Sequence, residues 1–163
     1  MFEHNERMNF VLTGVAARLA LSAMSIFVAN AAHANLGGNA ASVVADQAEL
    51  HGTLAAYSRP QFAIQEIATD SGMMLREYLT PAGVVFAICW SGPAPPDLEQ
   101  LLGAAYADYV QALSQLNRSG SKRSVRLISD ALIVEQEGHL RAYVGRAILR
   151  GMLPEGVTVE QLR

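Results

Sequence analysis

Apolar and polar positions along the chain fall into distinct regimes. An uncharged apolar run covers residues 19–29, whereas from Pro60 onward a period of two takes over. Phe62 and Ile64 alternate with Gln61 and Gln65, Thr69-Asp70-Ser71-Gly72 interrupts, and residues 73–79 resume the pattern. This is how two half-buried strands joined by a turn read. Thr80-Pro81-Ala82-Gly83 places Pro and Gly where a tight turn uses them, so residues 84–90 return as a third strand. That run is apolar on both faces and predicts a central strand, with Val84, Phe86, Ile88 and Trp90 on one side and Val85, Ala87 and Cys89 on the other.

Ser91-Gly92-Pro93-Ala94-Pro95-Pro96 ends the strand pattern, and Asp97 offers an N-cap with Gln100 three residues on. Leu98, Leu101, Leu102, Ala105, Tyr109, Ala112, Leu113 and Leu116 then recur at helical spacing, predicting one long helix before the polar loop that starts at Asn117. Strands follow at about 125–129, 131–136 and 139–149, with Glu137-Gly138 as the turn between the last two. Thr158-Val159-Glu160-Gln161 reads as a capping box that opens a short terminal helical turn. The order βββαββ predicts an α+β domain over residues 60–163: an antiparallel sheet of about five strands with one long helix across a face. Residues 35–59, rich in Ala and Gly, are expected as a flexible arm, within which residues 43–54 suit either a short helix or an edge strand.

The first regime has a separate meaning. Arg7 and Arg18 precede the apolar core, and Asn30-Ala31-Ala32-His33-Ala34 follows it, with the Ala32-x-Ala34 spacing that signal peptidases accept. Residues 1–34 are therefore expected as a signal peptide cleaved between Ala34 and Asn35. Met8 offers an alternative start, because Glu3 and Glu6 sit poorly in a positive leader. The competing reading is an uncleaved membrane helix over residues 11–32, which Arg18 interrupts. Export implies a periplasmic or secreted protein that touches the membrane only through an uncleaved leader.

Of the 163 residues 51% are hydrophobic and 17% charged, the net charge is −3, and there is one cysteine. A disordered chain and a disulfide-stapled mini-protein are excluded, and there is no basic field for nucleic acid. Nor does the sequence contain G-x-x-x-x-G-K-S/T, G-x-G-x-x-G, G-x-S-x-G, H-E-x-x-H or C-x-x-C. No cofactor and no metal is expected, since only His51 and His139 lie beyond the leader. Cys89, set in an apolar run, reads as an inert wall residue. Two catalytic readings compete with that: Cys89 with His139 as nucleophile and base, oriented by Asp108 or Glu77, and paired carboxylates drawn from Glu66, Glu77 and Asp108.

The strongest polar pattern is not catalytic. Arg76, Tyr78, Trp90, His139, Arg141 and Tyr143 all fall at predicted strand positions, and the sets 76/78 and 139/141/143 each share a face by the period of two. If those strands are neighbours, the six form a recognition face for a carboxylate, a glycan or a partner protein. Ordinary sheet packing, with Arg stems over aromatic rings, accounts for the same residues.

Several segments carry a family resemblance: Leu36-Gly37-Gly38, Arg76-Glu77-Tyr78, Gly83-Val84-Val85-Phe86-Ala87-Ile88-x-Trp90-x-Gly92-Pro93, Pro96-Asp97-Leu98 and Leu101-Leu102-Gly103. Gly138-His139-Leu140-Arg141-Ala142-Tyr143-Val144-Gly145-Arg146-Ala147 and Leu153-Pro154-x-Gly156-Val157 complete the set. Together they resemble the bacterial domain-of-unknown-function family 2844. The resemblance implies a small exported protein of unknown activity, with no catalytic or cofactor residue to carry over. Asn35 and Cys89 depart from its pattern of small residues, which favours a space-filling Cys89. The leading expectation is a non-catalytic exported module that binds a partner protein or envelope component through one face of its sheet. The alternatives are a small envelope hydrolase using His139 with a carboxylate, and a small-ligand carrier with an apolar cavity between helix and sheet.

Overall fold

The computed structural model describes residues 35–49, 51–115 and 124–163. The leader, with Ala34, and most of the polar loop from Asn117 lie outside the described residues. The elements are α1 (Ala40–Glu49), β1 (Gly52–Ser58), β2 (Ala63–Thr69), β3 (Met74–Leu79), β4 (Val85–Gly92), α2 (Leu98–Leu102), α3 (Tyr106–Gln115), β5 (Ser124–Ile128), β6 (Leu132–His139) and β7 (Ala142–Leu149). One antiparallel sheet of seven strands, ordered β1-β2-β3-β4-β7-β6-β5, makes up most of the domain. The chain meanders from β1 to β4, passes through α2 and α3 to the far edge at β5, and returns so that β7 seats beside β4.

β4 is the centre that the sequence predicts, with six consecutive buried residues from Val85 to Trp90. The helix-side core joins Val85, Ile88 and Trp90 to Leu75 and Val134 beneath Leu101, Leu102 and Tyr109, filling the interface where a carrier would need its cavity. On the opposite face Tyr78, Phe86, Ala87, Cys89, Ile133 and Ile148 lie beneath Leu162. Residues 150–163 form the lid there, through two 3₁₀ turns. The second turn carries the expected capping box, with the Thr158 amide donating to Gln161 Oε1 at 2.9 Å.

Five expectations are corrected. The sheet has seven strands rather than about five. Residues 35–59 are not a flexible arm: Asn39 caps α1 by accepting from the Ala41 and Ser42 amides, Leu36 is buried, and β1 pairs along its length with β2. The long helix is interrupted, because Gly103 (φ +50) closes α2, and a 3₁₀ turn (Gly103–Ala105) precedes α3. A Cβ at that glycine would stand 2.7 Å from the Asn35 side chain, so the close approach of the preceding segment selects glycine there. Asp97 does cap α2, accepting from the Glu99 and Gln100 amides at 2.9 and 3.2 Å.

The faces of β4 also differ from strict alternation. The register between β3 and β4 shifts at Tyr78/Leu79, and this bulge moves Phe86 to the side of Cys89 and Val85 to the side of Trp90. Finally, the β6–β7 turn falls at Leu140-Arg141 instead of Glu137-Gly138. The observed register sets Val134 against Ala147 and Glu135 against Arg146. A turn at Glu137-Gly138 would have set Val134 against Arg141, an apolar residue against a charge.

Candidate functional site

The six residues of the expected recognition face are scattered. Arg76 and Tyr78 lie on the face covered by residues 150–163. Trp90, only 2% exposed, belongs to the helix-side core beneath Gly145, where a Cβ would stand 2.4 Å from its ring. Tyr143 pairs with Gly92 and falls on that same helix side. His139 and Arg141 are exposed at the β6–β7 turn, which separates them from Tyr143 on β7. The error follows from reading 139–149 as one strand: the period of two fails across a turn.

The catalytic constellations come apart as well. Cys89 pairs with Arg146 and His139 with Ala142. Those positions are four residues apart on β7, about 13 Å at strand rise. Glu66 and Glu77 occupy opposite faces, with Glu77 buried, and Asp108 is exposed on α3.

What the fold does assemble is a set of parallel rows on the face away from the helices. Ile64, Tyr78, Ala87, Ile148, Ile133 and Ile128 follow one another across β2, β3, β4, β7, β6 and β5, and residues 150–163 cover much of that apolar row. Two positions along each strand the row becomes Glu66, Arg76, Cys89, Arg146, Glu135 and Arg126. Arg76 Nε donates to Glu66, while Arg146 Nε and Arg126 Nε donate to the two oxygens of Glu135 at 2.8 and 3.0 Å.

The charged row also holds the edge of the covering segment. Arg76 Nη1 and the Tyr78 hydroxyl donate to the backbone oxygen of Arg163 at 2.9 and 2.7 Å. Arg146 Nη1 donates to the backbone oxygens of Val159 and Leu162 at 2.8 and 3.2 Å. Beyond it comes a third row, of Met74, Ser91, Val144, Glu137 and Ser124, which is left open. The result is a groove of about 620 Å³, floored by five strands and walled by Leu162 and Arg163, in the size range of ligand sites.

Cys89 sits in this floor between Arg76 and Arg146. Burial pushes its thiol up to about 11, against the pull of both guanidiniums. At neutral pH it is therefore a protonated wall residue rather than a nucleophile. Burial likewise raises the Tyr78 hydroxyl, and the hydrogen bond to Glu66 raises Arg76, keeping both in the forms that hold the covering segment. Among the described residues no group of three His, Cys, Asp or Glu is placed to hold a metal, and no helix is long and apolar enough to cross a membrane.

Arg126, Glu135 and Arg146 were missed as site residues. Each is a charge standing between apolar neighbours on its strand, which was the available signal. The register that aligns them was not readable from single strands.

Fold and groove together define a single-sheet α+β domain with an ionic groove on the face opposite its helices. Within that class the chain belongs to the family described as protein of unknown function DUF2844, whose model matches residues 32–162. No curated protein and no solved structure matches the chain.

Proposed function

We propose that the protein is a non-catalytic exported module that binds a partner protein or envelope component in the groove beside Leu162 and Arg163. One observation carries this reading. The groove is lined by guanidinium, carboxylate and hydroxyl groups, with a protonated thiol in the floor and no histidine among its described lining residues. Such a site can hold a ligand: its thiol is protonated with no histidine beside it to serve as the base of acyl transfer, and Glu135 is already engaged by Arg126 and Arg146. Export rests on the leader pattern of residues 1–34.

The test is capture from an envelope fraction by the full chain and by Val144→Trp, which fills the open row at a position 56% exposed. The expected result is loss of capture at unchanged melting temperature. Undiminished capture by Val144→Trp would place binding elsewhere and sink the reading. In the same preparations, the mass of the recovered chain reports whether it begins at Asn35.

A further inference from the structure

We infer that the groove selects an acidic, extended peptide segment of its partner. This rests on the binding-module reading above and adds the ligand's chemistry. Four arginines and two glutamates line the groove, although the chain as a whole carries −3. The key imbalance lies at Glu135, whose single carboxylate serves both Arg126 and Arg146. With Glu137 in the open row and Glu66 paired to Arg76, four arginines face three carboxylates, a small excess of positive charge. The donors to express it are in place. Arg126 spends only Nε on Glu135, its side chain is 73% exposed, and its two terminal nitrogens have no acceptor among the described residues. A planar fork of this kind suits a carboxylate.

Residues 150–163 show how this face receives polypeptide. Arg76 and Arg146 donate to backbone oxygens while Leu162 inserts among apolar side chains. The open half repeats that combination, with Arg126 as donor, Met74 and Val144 as apolar contacts, the Ser91 and Ser124 hydroxyls alongside, and Glu137 as the one carboxylate of the row, which an acidic segment must avoid. In an extended segment that alternates carboxylate and small side chains, the carboxylates share one face, and that face can be turned to the arginine donors. Aromatic platforms of the kind that stack sugars are not offered, since the Trp90 ring belongs to the helix-side core.

The experiment measures anisotropy of a labelled hexapeptide alternating Glu and Ala against the full chain. Its Gln counterpart and an oligogalacturonate serve as competing probes. The Glu peptide should bind with salt sensitivity, the Gln peptide about tenfold more weakly, and Arg126→Glu should cost a similar factor. Arg126→Lys should keep part of the affinity and melt like the parent, because the Arg126 side chain is 73% exposed, whereas Arg126→Glu, which sets a carboxylate opposite Glu135, should melt somewhat lower while still folding. Equal binding of the Glu and Gln peptides, or no effect of Arg126→Glu, overturns the inference, as does tighter binding of the oligogalacturonate. If no peptide binds yet Val144→Trp abolishes envelope capture, the acidic-peptide inference falls and the binding-module reading stands. If envelope capture ignores Val144→Trp, that reading falls as well.

Discussion

Cys89 owes its behaviour to its neighbours more than to its own chemistry. Its thiol is raised from 9.0 to about 11 by burial, so as pH climbs through that window the unfolded chain releases the proton first while the folded chain retains it. Unfolding is then favoured progressively between pH 9 and 11, by an amount on the order of 2–3 kcal/mol. Urea melts across that window should show the decline, and Cys89→Ala should lessen it, leaving the part that Tyr78, also raised by burial, contributes above pH 10. Gly145 sets a second constraint at this scale, because a Cβ there would stand 2.4 Å from Trp90 Cζ2 and 2.7 Å from the Glu135 carbonyl oxygen. Gly145→Ala should therefore destabilise by about 1–3 kcal/mol in the same melts, through forced movement of the ring or the strand. Residue features that depend on local bonds were legible in the sequence, as with the Asp97 cap and the Thr158–Gln161 box. The side taken by Phe86 was not, because a bulge exists only relative to a partner strand.

Among the elements, residues 150–163 do the most to shape the site. Leu162 is fully buried, and its neighbours provide the hydrogen-bonded edge that Arg76, Tyr78 and Arg146 hold. Leu162→Ala should cost about 2–5 kcal/mol of stability by chemical denaturation, since it empties a site that the sheet face cannot close over. Strands β2, β3 and β4 and the start of α2 were legible from alternation and turn chemistry. β1 was not: an Ala-rich edge strand with most of its side chains exposed or half-exposed has no strong period to read. The β6–β7 turn was misplaced because Glu137-Gly138 looks like a turn locally, whereas pairing Glu135 with Arg146 and Val134 with Ala147 moves the turn to Leu140-Arg141.

At the scale of the molecule, an antiparallel α+β sheet with helices on one face was legible, but the candidate site was not. Arg76, Arg126, Glu135 and Arg146 come from four strands, and only the complete register puts them in one row. The order of the strands also predicts a gradient of protection. Amides of β4 and β7, buried between neighbours, should exchange with deuterium last, and those of the edge strands β1 and β5 first. Seating β7 beside β4 has a further consequence, for the order in which the chain can fold. Synthesis delivers β1 to β4 early enough to pair as a meander, but β4 then presents an apolar, unpaired hydrogen-bonding edge. Closing that edge joins Gly92 to Tyr143, after α2, α3, β5 and β6 have all been made. The strand that enters the middle of the sheet is thus the last of the seven to be made. Completion of the chain commits the fold, and until then the bare edge of β4 is the surface that a holding chaperone would shield.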